Sequence, residues 1–231
     1  MKKKIVFSTG AGMSAESGIS TFRDAGGLWE QYPVMQVASA EGFRQDPELV
    51  HRFYNARRHD LVTKEPNSAH KLIADLQKDY DVRVITQNVD DLHERAGSQN
   101  VLHLHGELMK IRSIEHPDYV ESLSLDNLDT TPETRGRNGD HMRPHIVFFN
   151  EAVPNIAPAM DLVAEADVFV VIGTSLNVYP AAGLVNCVRP GTPIFYIDPK
   201  PGHISIPNLT VIPEKATVGL PILIEKLRAL K

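Results

Sequence analysis

Ile5-Val6-Phe7-Ser8-Thr9-Gly10-Ala11-Gly12-Met13-Ser14-Ala15 is the stretch from which the fold is read. An apolar run ends in a glycine turn and passes into a helix-like segment, the order expected of strand, turn and helix start. At a helix N-terminus the unpaired backbone N–H groups and the positive end of the helix dipole favour a pyrophosphate. Gly10 and Gly12 would remove the Cβ atoms that obstruct it. The spacing fits the GxGxxG/A turn of dinucleotide-binding α/β domains, and it fits an ordinary tight βα turn as well. The rest of the chain has to separate the two.

Composition narrows the field. The chain has 231 residues, 42% of them hydrophobic, enough for a sizeable core in one large domain or a large domain with a small lobe. A net charge of -5 without a long basic run gives little attraction for nucleic acid or an anionic membrane. No apolar run approaches the roughly 20 residues that span a bilayer. One cysteine, Cys187, cannot form an intramolecular disulfide, and Met1 to Lys4 lead into a strand-like run without a signal-like apolar segment. The expectation is a cytoplasmic protein.

Short apolar runs rich in strand-forming residues recur at Ile5–Ser8, Val82–Thr86, Val101–Leu104, Ile146–Phe149, Val168–Ile172, Ile194–Ile197 and Leu209–Ile212. Helical patterns alternate with several of them. Ser68 to Tyr80 places Leu72, Ile73 and Leu76 on one face behind Asn67 as its cap, and Leu220 to Leu230 carries a similar stripe. The order predicts an α/β fold, a mostly parallel Rossmann-like sheet with helices on both faces. Two stretches break the alternation, about 25–64, with a helix expected over Glu48–Val62, and about 107–143, which is polar. Together they predict a smaller inserted lobe, leaving about 1–24, 65–106 and 144–231 to the large one. A cleft is then expected at the carboxyl ends of the strands.

Two segments at expected strand ends carry chemistry, Thr86-Gln87-Asn88-Val89-Asp90-Asp91-Leu92-His93 and Leu102-His103-Leu104-His105-Gly106-Glu107. Gln87, Asn88 and Asp90 offer amide and carboxylate groups suited to ribose hydroxyls and a nicotinamide amide. His105 offers a proton acceptor near neutral pH. Each of these residues can equally serve as an ordinary loop hydrogen-bonding group.

Taken together, Gly10 to Arg23, the Gln87-Asn88-Val89-Asp90 block, His105-Gly106 and Gly173-Thr174-Ser175-Leu176 resemble the sirtuins, NAD-dependent protein lysine deacylases. Gly26-Gly27-Leu28-Trp29, Arg143-Pro144, Val178, Pro180 and Lys215-Ala216-Thr217 extend the match through most of the chain in the family's order. The resemblance implies a Rossmann-like domain and a small lobe, with NAD as a consumed cosubstrate and an acyl-lysine peptide entering the cleft from opposite sides. By the same resemblance Gly10, Ala11, Gly12, Ser14, Glu16, Thr21, Arg23, Gly173, Thr174, Ser175, Asp198 and Ala216 would bind the nucleotide. Phe22 would shield the reacting ribose, Gln87 would position a ribose hydroxyl, and Asn88 and Asp90 would shape the nicotinamide pocket. Val147, Phe149, Asn150, Glu151 and Val178 would hold the peptide. In the family's reaction the acyl oxygen displaces nicotinamide to give an alkylimidate, and the residue matching His105 acts as general base in removing the acyl group.

A hydride-transfer reading competes, because Glu30 stands at about the distance at which dehydrogenases bind the adenosine ribose. It sits in a Gly-Gly-Leu-Trp-Glu loop and not at the end of a second strand, which favours the deacylase. A mono-ADP-ribosyltransferase and a non-catalytic NAD-binding sensor would use the same pocket, and the presence of His105 argues for deacylation over both.

Three departures from the family qualify the resemblance. Most sirtuins bind a structural zinc through four cysteines, and this chain has none of them. Arg112 to His116 and Thr134 to Arg143 stand in their place, and no structural zinc is expected. His116, Asp118, Asp140 and His141 are ligand types at a spacing unlike the usual zinc pairs. The family's Phe-Gly-Glu is Phe149-Asn150-Glu151, and Asp198 stands where an asparagine commonly holds the ribose. Finally, Tyr54 and Arg57 lie three residues apart on one face of the expected helix. They match the Tyr-x-x-Arg pair of the sirtuin subgroup that removes succinyl, malonyl or glutaryl groups. Relatives with the pair often accept acetyl-lysine too, and the alternative reading of the pair is an ordinary amphipathic helix.

Overall fold

The structure, a computed structural model, describes residues 2–21, 33–175, 179–202 and 206–229. Six parallel strands form the main sheet in the order β3-β2-β1-β7-β8-β9: β1 Lys4–Thr9, β2 Asp81–Thr86, β3 Val101–His103, β7 Val168–Ile172, β8 Ile194–Ile197 and β9 Leu209–Ile212. Successive side chains of a strand point to opposite faces, so a continuous apolar run is what a sheet covered on both sides requires. Ile5 and Phe7 of β1 join one core with Val168, Val170 and Ile172 of β7, while Val6, Phe169 and Val171 join the other.

Helices α5 (Ser68–Leu76) and α8 (Ala216–Ala229) cover the first face through Ala69, Ile73, Leu76, Leu220, Leu223 and Leu227. Helix α7 (Ile156–Ala164) and a 3₁₀ segment (Ala181–Cys187) cover the second through Ala159, Val163, Ala181 and Leu184. Ile73, Leu220 and Leu223 are fully buried, worth about 1.5–3 kcal/mol each by area. The expected cap of α5 is present, with Asn67 Oδ1 accepting from the amides of Ala69 and His70. Helix α5 ends at Leu76, earlier than the Tyr80 read from the sequence, and α8 starts before Leu220 and carries Pro221 inside it.

A second sheet, β5-β4-β6, is antiparallel, built from β4 (Gly106–Ser113), β5 (Val120–Ser122) and β6 (Met142–Ile146). This corrects the expectation of a strand over Ile146–Phe149. The regular pairing with β4 ends at Ile146, where Gly106 faces it, and the chain beyond leaves to form other contacts. Gly106 has φ +84, and a Cβ there would lie 2.0 Å from the His145 carbonyl oxygen, so only glycine fits this turn.

Short helices α2 (Val34–Val37) and α3 (Ala40–Gln45) lead to α4 (Pro47–Leu61), started by Asp46, whose carboxylate accepts from the Leu49 amide. Val50, Phe53, Tyr54 and Leu61 of α4 pack with Val37, Leu108, Ile146 and Phe148 in a third core. Arg58 is fully buried inside it and donates to the carbonyls of Leu108 and Leu128 and to Asn55 Oδ1. Burial pushes its pKa down to about 10, which still leaves it charged at neutral pH. Thus α4, β4 and the 128–130 loop meet on one cation.

The chain leaves β1 to pair on one side with β2 and on the other with β7. That change of direction opens a crevice at the carboxyl ends of β1 and β7, where open α/β sheets bind ligands.

Candidate active site

The turn after β1 meets the turn after β7 at the crevice. Gly10 and Gly12 donate their amides to the carbonyls of Ile172 and Gly173, each at 2.9 Å. A Cβ on Gly10 would come within 2.7 Å of Gly173 O, and one on Gly12 within 2.6 Å of Gly173 Cα. The glycines therefore serve the close approach of two strand ends, whereas the sequence reading gave them the work of admitting a pyrophosphate. Helix α1 (Gly12–Ala15) is a single turn, and Met13 and Ser14 donate to Gly10 O and Ala11 O. The amides of Gly10, Gly12, Met13 and Ser14 are engaged within the protein.

Gln87 and Asn88 follow β2. The Gln87 side chain donates to Thr174 Oγ1 at 3.2 Å, tying the β2 and β7 ends together, and the Thr174 carbonyl accepts from the Tyr196 hydroxyl at 2.9 Å. Asn88 Nδ2 donates to Ser14 Oγ at 3.0 Å. Asp90 is 7% exposed, and burial pushes its carboxyl up while the Ser14 hydroxyl, the Leu92 amide and the charge of His103 act against that push. His105 lies beside them, its Nδ1 3.0 Å from the Gln87 carbonyl oxygen. A carbonyl only accepts, so Nδ1 carries the proton and Nε2 is left as the basic atom. Burial lowers the His105 pKa, opposed by that carbonyl.

A cavity of about 210 Å³ opens among Ala11, Ser14, Ile19, Ser20, Asn88 and Asp90 on one side and Phe53, Ala56, Arg57, Asp60 and Leu108 on the other. Residues expected at the nucleotide and at the acyl group thus share one space. The polar and acidic wall of Ser14, Asn88 and Asp90 suits an uncharged amide or ribose hydroxyls, and the opposite wall carries the Arg57 cation, whose guanidinium lies 5.5 Å above the Phe53 ring and 6.0 Å from that of Tyr54. Tyr54 is not part of the lining. It is 3% exposed, edge-on to Phe53 at 5.0 Å, and burial pushes its phenol up to about 12.

Other expected residues are placed elsewhere. Glu16 points to the start of α8, its two oxygens accepting from Thr217 N at 3.0 Å and Thr217 Oγ1 at 2.8 Å, beside buried Ala216. Asp198 follows β8, where its Oδ1 accepts from the Lys200 amide. Ser175 and Thr21 lie at the edges of described segments, while Phe22, Arg23 and Val178 fall outside the described residues.

Val147 donates its amide to the His105 carbonyl at 3.0 Å and Phe149 donates to Ala38 O at 2.8 Å. Asn150 has φ +69, a left-handed conformation that asparagine tolerates better than most residues, a physical basis for its standing where the family has glycine. Glu151 faces inward, accepting from Arg143 Nη1 at 2.6 Å, Arg112 Nη2 at 3.2 Å and the Phe148 amide at 2.8 Å. It locks β4 and β6 to the loop after them.

Among the described residues no group of three or more His, Cys, Asp or Glu side chains is arranged to hold a metal. His116 pairs with Asp140 at 2.7 Å, Asp140 also accepts from Ser113 and Asn138, and His141 pairs with Glu115 at 3.2 Å. No described helix is long and apolar enough to cross a membrane.

Sequence reasoning missed the polar layer behind the cavity. His70 and His93 are buried edge to face at 4.9 Å, with His70 Nε2 3.5 Å from Ser14 Oγ and His93 Nε2 3.1 Å from Thr9 Oγ1. The helical stripe was read from Leu72, Ile73 and Leu76, and no local pattern joined His70 to Ser14.

The Sir2 family model matches residues 10–180. A protein of Bacteroides thetaiotaomicron named NAD-dependent protein deacylase is 55% identical over 202 residues, 86% of each chain. One of the same name from Helicobacter pylori is 47% identical over 230 residues, 97% of each. Among solved structures, a Sir2 homologue in complex with NAD superposes with a TM-score of 0.82 at 37% identity, covering 99% of this chain and 91% of that one. The glycine turn at the switch point, the Gln87–Asp90 block and His105 at the strand ends all lie within the matched span, and the chain belongs to the Sir2 family.

Proposed function

We propose that this chain is an NAD-dependent protein lysine deacylase that accepts acetyl-lysine and, through Arg57 and Tyr54, lysines carrying a short acidic acyl group such as succinyl or malonyl. The observation that carries the reading is the pairing of His105 with the Gln87 carbonyl, which leaves Nε2 basic beside the turn after β2. The names of the relatives support the deacylase reading, and the Arg57 cation in the cavity it lines with Asn88 and Asp90 supports the acidic acyl group.

NAD would supply an electrophilic ribose carbon on loss of nicotinamide. Ser14, Asn88 and Asp90 hold the nicotinamide end, Asn88 with its amide oriented by Ser14. Gln87, Thr174 and Ser175 would bind the ribose and phosphates, and the resemblance gives Phe22 and Arg23, outside the described residues, to the same nucleotide. His105 accepts the proton of a ribose hydroxyl at Nε2, so that the hydroxyl oxygen can attack the acyl carbon. Val147, Phe149 and Asn150 would line the path of the peptide, with Glu151 keeping their loop in place, and the resemblance adds Val178, outside the described residues. The insertions about 25–64 and 107–143 would make up the small lobe, with no zinc to hold it. The lone Cys187 and the acidic net charge support a cytoplasmic protein that acts on acylated proteins and not on nucleic acid or membranes.

The test is mass spectrometry of products after incubation with NAD and acetyl, succinyl and malonyl versions of one peptide. Free lysine peptide with one O-acyl-ADP-ribose per turnover is expected. ADP-ribosylated protein without deacylation would assign a transferase, NAD reduction a dehydrogenase, and binding without turnover a sensor.

A further inference from the structure

His103 is two residues before His105 on the same side of the chain, and both imidazoles grip the turn after β2. His105 Nδ1 contacts Gln87 O at 3.0 Å and His103 Nδ1 contacts the next carbonyl, Asn88 O, at 2.9 Å. The two rings differ at Nε2. That of His105 is left as a base, whereas that of His103 lies 2.8 Å from Glu94 Oε1. A carbonyl at one nitrogen and a carboxylate at the other both accept, so both nitrogens of His103 must carry protons, and the ring is an imidazolium. It is 7% exposed, while Glu94 reaches it from α6 (Leu92–Arg95), a helix whose His93 lies behind the cavity. We propose that His103, held as a cation by Glu94, is a positioning residue that fixes the Gln87–Asn88 turn at the nicotinamide end of the cavity.

The charged groups facing His103 support that assignment. Burial acts to lower its pKa, but Glu94, the Asn88 carbonyl and, from β4, the charge of Glu107 outweigh burial and hold it above the ordinary histidine value. Its positive charge lowers the pKa of Asp90 after β2 and that of His93 on α6. Asp90 needs such help, because burial favours its neutral form and the neighbouring Asp91 does so too. Ser14 and Leu92 supply hydrogen bonds to Asp90, and His103 supplies a cation without entering the cavity lining. His103 is thus distinct from a core histidine kept neutral, as burial keeps His70.

The assignment of a nicotinamide end rests on the deacylase reading above, so the test has one arm independent of activity. Imidazole ¹⁵N and ¹³C NMR of the wild-type protein should show His103 doubly protonated through pH 7.5, and Glu94→Gln should bring its titration down toward neutral pH. In the kinetic arm, kcat/KM for NAD is followed from pH 6 to 8.5 at saturating acetyl peptide. Glutamine keeps an acceptor for Nε2–H, so Glu94→Gln should match wild type at the acid end, where the ring stays charged. It should lose roughly fivefold to tenfold at the alkaline end, the size of a nearby charge at partly screened range, with peptide KM unchanged. Glu94 is 40% exposed on its side chain, so the variant should fold. His103→Gln, which removes the cation at all pH values, should show the loss throughout. A neutral His103 at pH 7 in the wild type, or pH profiles for Glu94→Gln and wild type that superimpose, would overturn the proposal. Absence of NAD-dependent deacylation in the wild type would instead strike at the deacylase reading, leaving the NMR result to stand by itself.

Discussion

Arg57→Ala should separate acidic acyl groups from acetyl. Arg57 lines the 210 Å³ cavity with Ala56 and Phe53, and Asn88 and Asp90 line it too. Its guanidinium sits against the faces of Phe53 and Tyr54, so these rings limit the positions it can take and hold the charge at the cavity wall. A hydrogen bond to a charged group contributes about 1.5–3 kcal/mol, so its loss should lower kcat/KM for a succinyl-lysine peptide by roughly 10-fold to 150-fold, and by more if the carboxylate is buried unpaired. Acetyl-lysine has no carboxylate to lose a partner, and its turnover should stay near wild type or rise as the wall recedes. Tyr54→Phe should give a smaller loss, confined to the acidic substrates, because the phenol is buried beside the cavity and not in its lining. The assay is kcat/KM for succinyl and acetyl versions of one peptide across wild type and both variants. Equal losses on the two substrates would show that the pair supports packing of α4 and does not read the acyl group.

His105→Ala should abolish deacylation while leaving Tm near wild type and NAD affinity largely intact by calorimetry, since general bases contribute about 10² to 10⁴ in rate. The base works deprotonated and burial lowers its pKa, so the acid limb of kcat/KM should fall below the ordinary histidine range in a pH–rate profile. Chelators should leave Tm and activity unchanged, whereas Arg58→Ala should destabilise by about 3 kcal/mol or more in urea unfolding, since it removes a fully buried side chain and strands two carbonyls. Burial pushes His51, His70 and His145 down to about 4. Each is lower in the folded state than in the unfolded chain, so the stability it contributes is full above about pH 6.5 and lost as pH falls toward 4. Thermal unfolding between pH 7.5 and 4.5 should show that decline, and a flat Tm would refute it.

Much of the large sheet was legible in the chain itself. Residues such as Val6, Phe7, Val170 and Val171 are apolar at successive positions because both faces of the sheet are covered, and that requirement is local enough to read without knowing the partners. The cap at Asn67, the strand–glycine turn–helix order and the placing of the Gln87–Asp90 block and His105 after strands were legible for the same reason, since each depends on a few neighbouring residues. The small antiparallel sheet was not, because β4 and β6 are separated by a long polar segment, so their pairing is decided by contacts distant in sequence. Only the tertiary structure decided that Gly10 and Gly12 fit against Gly173 and that Glu16 caps α8. It alone set Arg57 in the cavity wall with Tyr54 behind it, and gave one histidine of His103-Leu104-His105 a carboxylate where the other keeps a lone pair. Residue type fixes which groups can carry a charge or a proton. Where that charge acts depends on burial and on the partner that the fold brings within about 3 Å, and neither is a property of the local sequence.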